Sequence, residues 1–148
     1  MTLIIEKDYG TPEKKSDVSV DLEIDGKKIT VAQGTSVMRA ARMIDVDIPS
    51  LCASDCLTSY GSCRLCLVEI DGARGTPASC TTPVAQDMKV TTTSERLDKI
   101  RQGIMELYIS DHPDQESPLH EMAARVGMRE NRYGKEGHNH LTSIINDS

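Results

Sequence analysis

From Val18 the chain alternates apolar and polar residues, VSVDLEID, and after the Asp25-Gly26 pair it does so again through Ile29 and Val31. A period of two buries one face of a strand, and Asp-Gly between two such runs closes a tight hairpin. The pattern predicts a β-hairpin with Val18, Val20, Leu22 and Ile24 on one face, shared by Ile29 and Val31. Past Gly34 the period lengthens, because Val37, Ala40, Ala41 and Ile44 recur at the spacing of one helix face. Thr35 is placed to cap this helix, which should run to about Asp45 before Pro49 blocks continuation. Leu65 to Ile70 reads as a buried strand, Asp71-Gly72 turns the chain, and Thr76 to Cys80 returns it. Pro83 ends that return, and Met88 to Thr92 supplies a further short strand. Thr92 and Glu95 have the spacing of a capping box, opening a helix from about Thr93 to Ser110. Its stripe of Leu97, Ile100, Ile104, Leu107 and Tyr108 is expected to be a packing face.

Both ends are less regular. Residues 1–17 form a leader with a short strand at Leu3 to Ile5 and then the polar linker TPEKKSD, expected to be mobile or docked on a partner. Residues 18–93 make the main domain, and residues 94–148 a helix and polar extension. Within the extension HEMAARVGM predicts a short helix, with Met122, Val126 and Arg129 on related faces. The last stretch, GKEGHNHLTSIINDS, reads as loop with an apolar pair at Ile144 and Ile145.

Composition narrows the picture. With 148 residues, no Trp or Phe and four Tyr, the chain builds an aliphatic core of one domain with an appendage. A net charge of −6 argues against nucleic acid or an anionic membrane as a main partner. The apolar run before Glu6 is too short for a signal peptide, and no segment has the length of a membrane span, so the expected location is cytoplasmic.

All five cysteines lie between Cys52 and Cys80. Clustered thiols in a reducing compartment point to metal rather than disulfides. Cys63 and Cys66 form a CxxC, and Gly61 and Ser62 before it allow the tight turn that brings backbone N–H groups close to a ligand. Cys52 and Cys80 complete the spacing C-x10-C-x2-C-x13-C. Structural zinc sites usually pair two CxxC knuckles, whereas 2Fe-2S proteins take three ligands from one glycine-containing loop and a distant fourth. One knuckle favours iron and sulfide over zinc. Arg64 would offset the negative charge of such a cluster. Cys56 competes with Cys52 for the first position on spacing alone, with a free thiol as the favoured role for Cys56.

The run IPSLCASDCLTSYGSCRLCLVEI, followed by GTPASCTTPV and ELYISDHP, resembles the N-terminal region of the alpha subunit of cytosolic NAD-dependent, molybdenum- or tungsten-containing formate dehydrogenases. A broader likeness extends to the large iron-sulfur subunit of respiratory complex I and the diaphorase parts of NAD-reducing hydrogenases. The resemblance covers about residues 18 to 113. It implies that Cys52, Cys63, Cys66 and Cys80 bind a 2Fe-2S cluster. It also implies an α+β fold, a β-grasp 2Fe-2S ferredoxin-like domain followed by a C-terminal helical and irregular extension. Two strands and a helix before the metal loop agree with that order.

In the formate dehydrogenases the Asp-His-Pro after the long helix opens a second site, where one His and three Cys bind a 4Fe-4S cluster. His112 matches that His, but no cysteine follows Cys80, so the extension corresponds to a degenerate 4Fe-4S region. His112 is then a helix-end residue favoured by the dipole. His120, His138 and His140 lack a fourth ligand for a metal of their own.

No nucleophile and base pair, phosphate loop or substrate motif marks the chain as catalytic by itself. The expected function is one-electron relay between a formate-oxidising molybdopterin centre and a flavin/NAD module, with those redox subunits as partners. The alternatives are the same role in an NAD-reducing hydrogenase or NADH dehydrogenase, and a metal-stabilised structural or assembly module.

Overall fold

A computed structural model describes residues 7–112, 117–128 and 132. The expectations for Leu3 to Ile5, Arg129, His138, His140, Ile144 and Ile145 lie outside these residues. The chain divides into two compact units, Met1–Leu97 and Asp98–Ser148.

The first unit is built on the hairpin. Strand β1 (Ser19–Ile24) pairs antiparallel with β2 (Lys27–Ala32), setting Val20 opposite Val31 and Leu22 opposite Ile29. Asp25 and Gly26 make the turn with φ of 49° and 79°, in the left-handed region that Asp tolerates and Gly favours. Val20, Leu22, Ile24 and Val31 are buried as the alternation predicts, while Val18, one residue before the strand, is exposed.

Helix α1 (Val37–Met43) follows, with Val37, Met38, Ala40 and Ala41 fully buried. Its cap is Ser36, not Thr35: the Ser36 hydroxyl accepts from Arg39 N at 3.0 Å. Thr35 is itself buried, and its backbone is spent on other partners, donating to Ala32 O and accepting from Val84 N. Two more strands complete the sheet. Strand β3 (Glu69–Ile70) pairs antiparallel with β4 (Met88–Thr91), which lies parallel to β1, giving the order β2-β1-β4-β3. A parallel neighbour for β1 requires a crossover, which α1 and the cysteine-bearing stretch supply.

The strand expected from Leu65 to Ile70 is regular only at its end. Leu65, Cys66, Leu67 and Val68 are nonetheless buried on both faces, bridged to the returning chain at Leu67 and Ala78. With Ile24, Met38, Ile48 and Leu97 they form an aliphatic core. Each such side chain contributes roughly 1.5–3 kcal/mol of burial.

Helix α2 (Glu95–Asp111) starts from Ser94, whose hydroxyl accepts from Leu97 N at 3.2 Å. Thr92, the expected cap, is taken by Asp25, which accepts from its N–H at 2.8 Å and its hydroxyl at 2.5 Å. The buried row of α2 is Leu97, Arg101, Met105 and Ile109, at steps of four, while Leu107 is 55% exposed. The row differs from the stripe read from apolarity alone: Arg101 is buried, 3.8 Å from Asp98, while Ile100, Ile104 and Tyr108 are half-buried. Helix α3 (Pro118–Arg125) begins earlier than predicted, with Ser117 as cap and Pro118 in the first turn, and buries Ala123. His112, at the end of α2, is exposed.

Candidate metal centre

Cys66 and Cys80 are brought together by backbone pairing. Ser79 N donates to Cys66 O at 2.9 Å and Val68 N to Pro77 O at 3.0 Å, so the two chain segments run antiparallel with the thiols at one end. The return is anchored on α1. Met38 N donates to Ser79 O and Val37 N to Thr82 O, at 3.1 and 2.9 Å. These are among the N–H groups that a helix start leaves without internal partners, and here they hold the segment carrying Cys80.

Cys52 and Cys63 form the other half. Cys63 N donates to Cys52 Sγ at 3.4 Å, and Leu51 N to Cys63 Sγ at 3.5 Å. Between them the chain forms no helix or strand and carries Leu57 and Tyr60 on its surface, Tyr60 at 85% exposure. Gly61 and Arg64, with φ of 69° and 58°, bend it back so that Cys63 faces Cys52. Cys63, Cys66 and Cys80 are buried, Cys52 is half-buried and Cys56 is exposed.

The electrostatics group the same four thiols. A hydrogen bond from the Cys80 thiol outweighs burial and, with the Cys80 N–H, brings Cys66 down to about 6. Cys80 moves up, because it keeps the proton it shares with Cys66, and because burial and the charges of Cys66, Cys52 and Cys63 oppose its ionisation. Burial also raises Cys52. The Cys56 N–H donates to Ser54 Oγ at 3.3 Å. Four thiolates this close repel one another unless cations lie between them.

The donor set suits iron and sulfide. The four thiols fall into two pairs, as two tetrahedral irons with two thiolates each would require. Among the described residues no three His, Cys, Asp or Glu side chains are gathered as around a single ion. Ser79 Oγ, fully buried beside Cys66, has no hydrogen-bond partner of ordinary geometry, leaving a polar group that a cluster sulfur would satisfy.

Sequence reasoning missed the residues that brace the Cys52 side. Residues 8–11, expected to be linker, lie against α1 and the cysteine loop, where Asp55 Oδ1 accepts from Tyr9 N, Thr11 N and Arg39 Nη1. Tyr9 and Asp55 stand 46 positions apart, so no local pattern announces their pairing.

Residues 17–95 match the family of 2Fe-2S iron-sulfur cluster binding domains. The chain belongs to this family, and its cofactor is a 2Fe-2S cluster. Among relatives, it is 48% identical over 94 residues to the NADPH-Fe(3+) oxidoreductase subunit alpha of Geobacter sulfurreducens, covering 64% of this chain and 11% of that protein. It is 36% identical over 140 residues to the NADP-reducing hydrogenase subunit HndD of Solidesulfovibrio fructosivorans, covering 86% and 24%. With the mitochondrial NADH-ubiquinone oxidoreductase 78 kDa subunit of Candida albicans the identity is 36% over 135 residues, covering 86% and 19%. The chain therefore spans a quarter or less of these relatives. The fold also superimposes on a chain of an NAD+-reducing NiFe-hydrogenase in the H2-reduced state, with a TM-score of 0.70 and 28% identity, over 78% of this chain and 52% of that one. The small mixed sheet with helices is that of a 2Fe-2S ferredoxin-like domain. No described helix is long and apolar enough to cross a membrane.

Proposed function

We propose that Cys52, Cys63, Cys66 and Cys80 hold the 2Fe-2S cluster and that the chain is a one-electron relay within a nicotinamide-linked oxidoreductase complex. The observation that carries this is the division of the four thiols into two pairs, three buried and the fourth, Cys52, reaching the surface. The bound cluster supplies a centre that alternates between two charge states. The chain's part is to keep that centre in fixed surroundings. Backbone pairing at Cys66 and Cys80 and the rigid helix start of α1 limit movement when the charge changes, and the half-buried Cys52 leaves one side open to a partner. We assign the first unit to the β-grasp variety of the fold, residues 18–93 to the cluster domain, residues 1–17 to a leader, and residues 94–148 to a helical extension without a second cluster.

In its narrower form the relay runs between a formate-oxidising molybdopterin subunit and a flavin/NAD subunit in the cytoplasm, as the ELYISDHP segment suggests by resemblance. A second form, in an NAD(P)-reducing hydrogenase, is favoured by the likeness to a NiFe-hydrogenase chain and to HndD. Anaerobic purification with iron and sulfide counts, visible absorbance, and paramagnetic resonance before and after dithionite tests the relay. A spin-one-half signal that appears only on reduction supports it. A colourless protein with one zinc overturns it in favour of a structural module. Copurification with a molybdopterin subunit or a nickel-iron subunit separates the two forms.

A further inference from the structure

Cys52 sits in the part of the site that backbone pairing does not reach. What holds its loop is a set of side-chain contacts to a strap formed by residues 8–11. Asp55, three positions after Cys52, accepts at one carboxylate oxygen from Tyr9 N at 3.0 Å, Thr11 N at 3.2 Å and Arg39 Nη1 at 3.1 Å. Asp8 answers from the strap, accepting from Asp55 N at 3.2 Å and Gly10 N at 2.6 Å. Two distant segments are thus joined reciprocally, each carboxylate taking the other segment's backbone N–H.

Helix α1 supplies the frame. Arg39 donates to Thr11 O at 2.6 Å and lies 4.9 Å from the Tyr9 ring centre, while Arg42 reaches Asp8 O at 3.3 Å and Ser50 Oγ at 3.1 Å. The same helix holds the Cys80 segment through its first N–H groups, so both halves of the site are referred to one rigid body. The strap fits only because residue 10 is glycine. Its φ is 83°, and a Cβ there would lie 2.6 Å from Met38 Sδ and 2.7 Å from Arg42 Nη1. Two arginines balance two aspartates, so the clamp adds no net charge beside an anionic cluster. Residues 8–11 precede the family match, which begins at residue 17.

We propose that Asp55, clamped by this strap and Arg39, is a positioning residue that fixes the Cys52 loop and thereby controls retention and reduction potential of the cluster. This rests on Cys52 being a ligand. The test uses the full chain loaded anaerobically with iron and sulfide, in the parent and in Asp55→Asn, Gly10→Val and, as a surface control away from the strap, Asp71→Asn. Gly10→Val is chosen to displace the strap while leaving the loop's own residues unchanged. The readouts are bleaching of the visible bands by an iron chelator, reduction potential from a titration followed by paramagnetic resonance, and melting temperature.

The expected result is full loading in every variant, with Asp55→Asn and Gly10→Val bleaching on the order of 10- to 100-fold faster than the parent. Their potentials shift, and Asp71→Asn follows the parent. Lower melting temperatures with parental bleaching and potential would reduce the strap to a structural brace and overturn the proposal. If Gly10→Val does not fold, Asp55→Asn decides alone. A parent chain that takes up no cluster overturns the ligand assignment itself, whereas a loaded parent with unaltered variants overturns only the positioning role.

Discussion

Around Cys66 and Cys80 the chain pairs backbone to backbone, and the thiols are buried among Leu65, Val68 and Ala78. Around Cys52 it follows no regular structure, and its position depends on Asp55, Arg39 and a strap from the other end of the domain. Backbone pairing survives most side-chain substitutions, since every residue but proline carries the same donor and acceptor. A clamp of carboxylates and guanidinium groups is lost with one residue. On the proposed assignment, this contrast predicts that the buried side governs whether the site forms and that the open side is where its properties can be adjusted.

The sharpest test of this contrast exchanges single thiols. Cys66→Ser and Cys80→Ser should abolish the visible spectrum and iron binding, and Cys52→Ser should lose or perturb the cluster. Cys56→Ser should leave iron content and spectrum unchanged. Loss of the cluster on replacing Cys56, with Cys52 dispensable, would reverse the assignment.

Next in size is the core beneath the buried side. Leu65→Ala should cost about 2–5 kcal/mol in denaturant unfolding of the metal-free chain. Leu57→Ala on the exposed loop should stay within about 0.5 kcal/mol of the parent. Equal losses at the two positions would dissolve the distinction between the sides. Smaller again is the shared frame: Ser36→Ala removes the cap of α1 and should cost about 0.5–2 kcal/mol, measured in the same way.

The smallest expected effect is a pH dependence confined to the open side. Burial alone would raise the Asp8 carboxyl, but the N–H of Gly10, the Ser54 hydroxyl, the N–H of Asp55 and the Arg42 charge together hold it below the usual carboxylate range. A carboxyl depressed by folding stabilises the fold fully above its unfolded pKa of about 3.9 and loses that contribution as pH falls through the folded value. Melting temperatures of the parent and Asp8→Asn should therefore differ at neutral pH and converge in acid. A gap that persists below the folded pKa would assign the stabilisation to another group.

Much of the architecture is local and could be read directly. A period of two with Asp-Gly between the runs is enough for β1 and β2, and an i, i+3, i+4 recurrence is enough for α1, because both depend on neighbours in the chain. The cysteine spacing identified iron and sulfide as the favoured chemistry for the same reason, with the loop and its CxxC lying in one continuous stretch. The caps were each misplaced by a residue or two. Thr35 and Ser36, and Thr92 and Ser94, are equivalent as hydroxyls, and only partners far along the chain, Val84 and Asp25, decide which is free to cap.

Tertiary structure alone settled which face of α2 is buried, since the buried row includes Arg101, which no apolar pattern would place there. It also turned a polar leader into a strap. TPEKKSD and the residues before it have the composition of a linker, and composition is silent about a carboxylate 44 or more positions away that can accept their N–H groups. The amino-acid sequence by itself determined the hairpin, the helices, the thiols to consider and the 2Fe-2S class of the domain, though not a formate dehydrogenase in particular. The folded chain decided how those thiols are paired and what braces them, because long-range polar contacts are chosen by three-dimensional proximity and leave no period in the sequence.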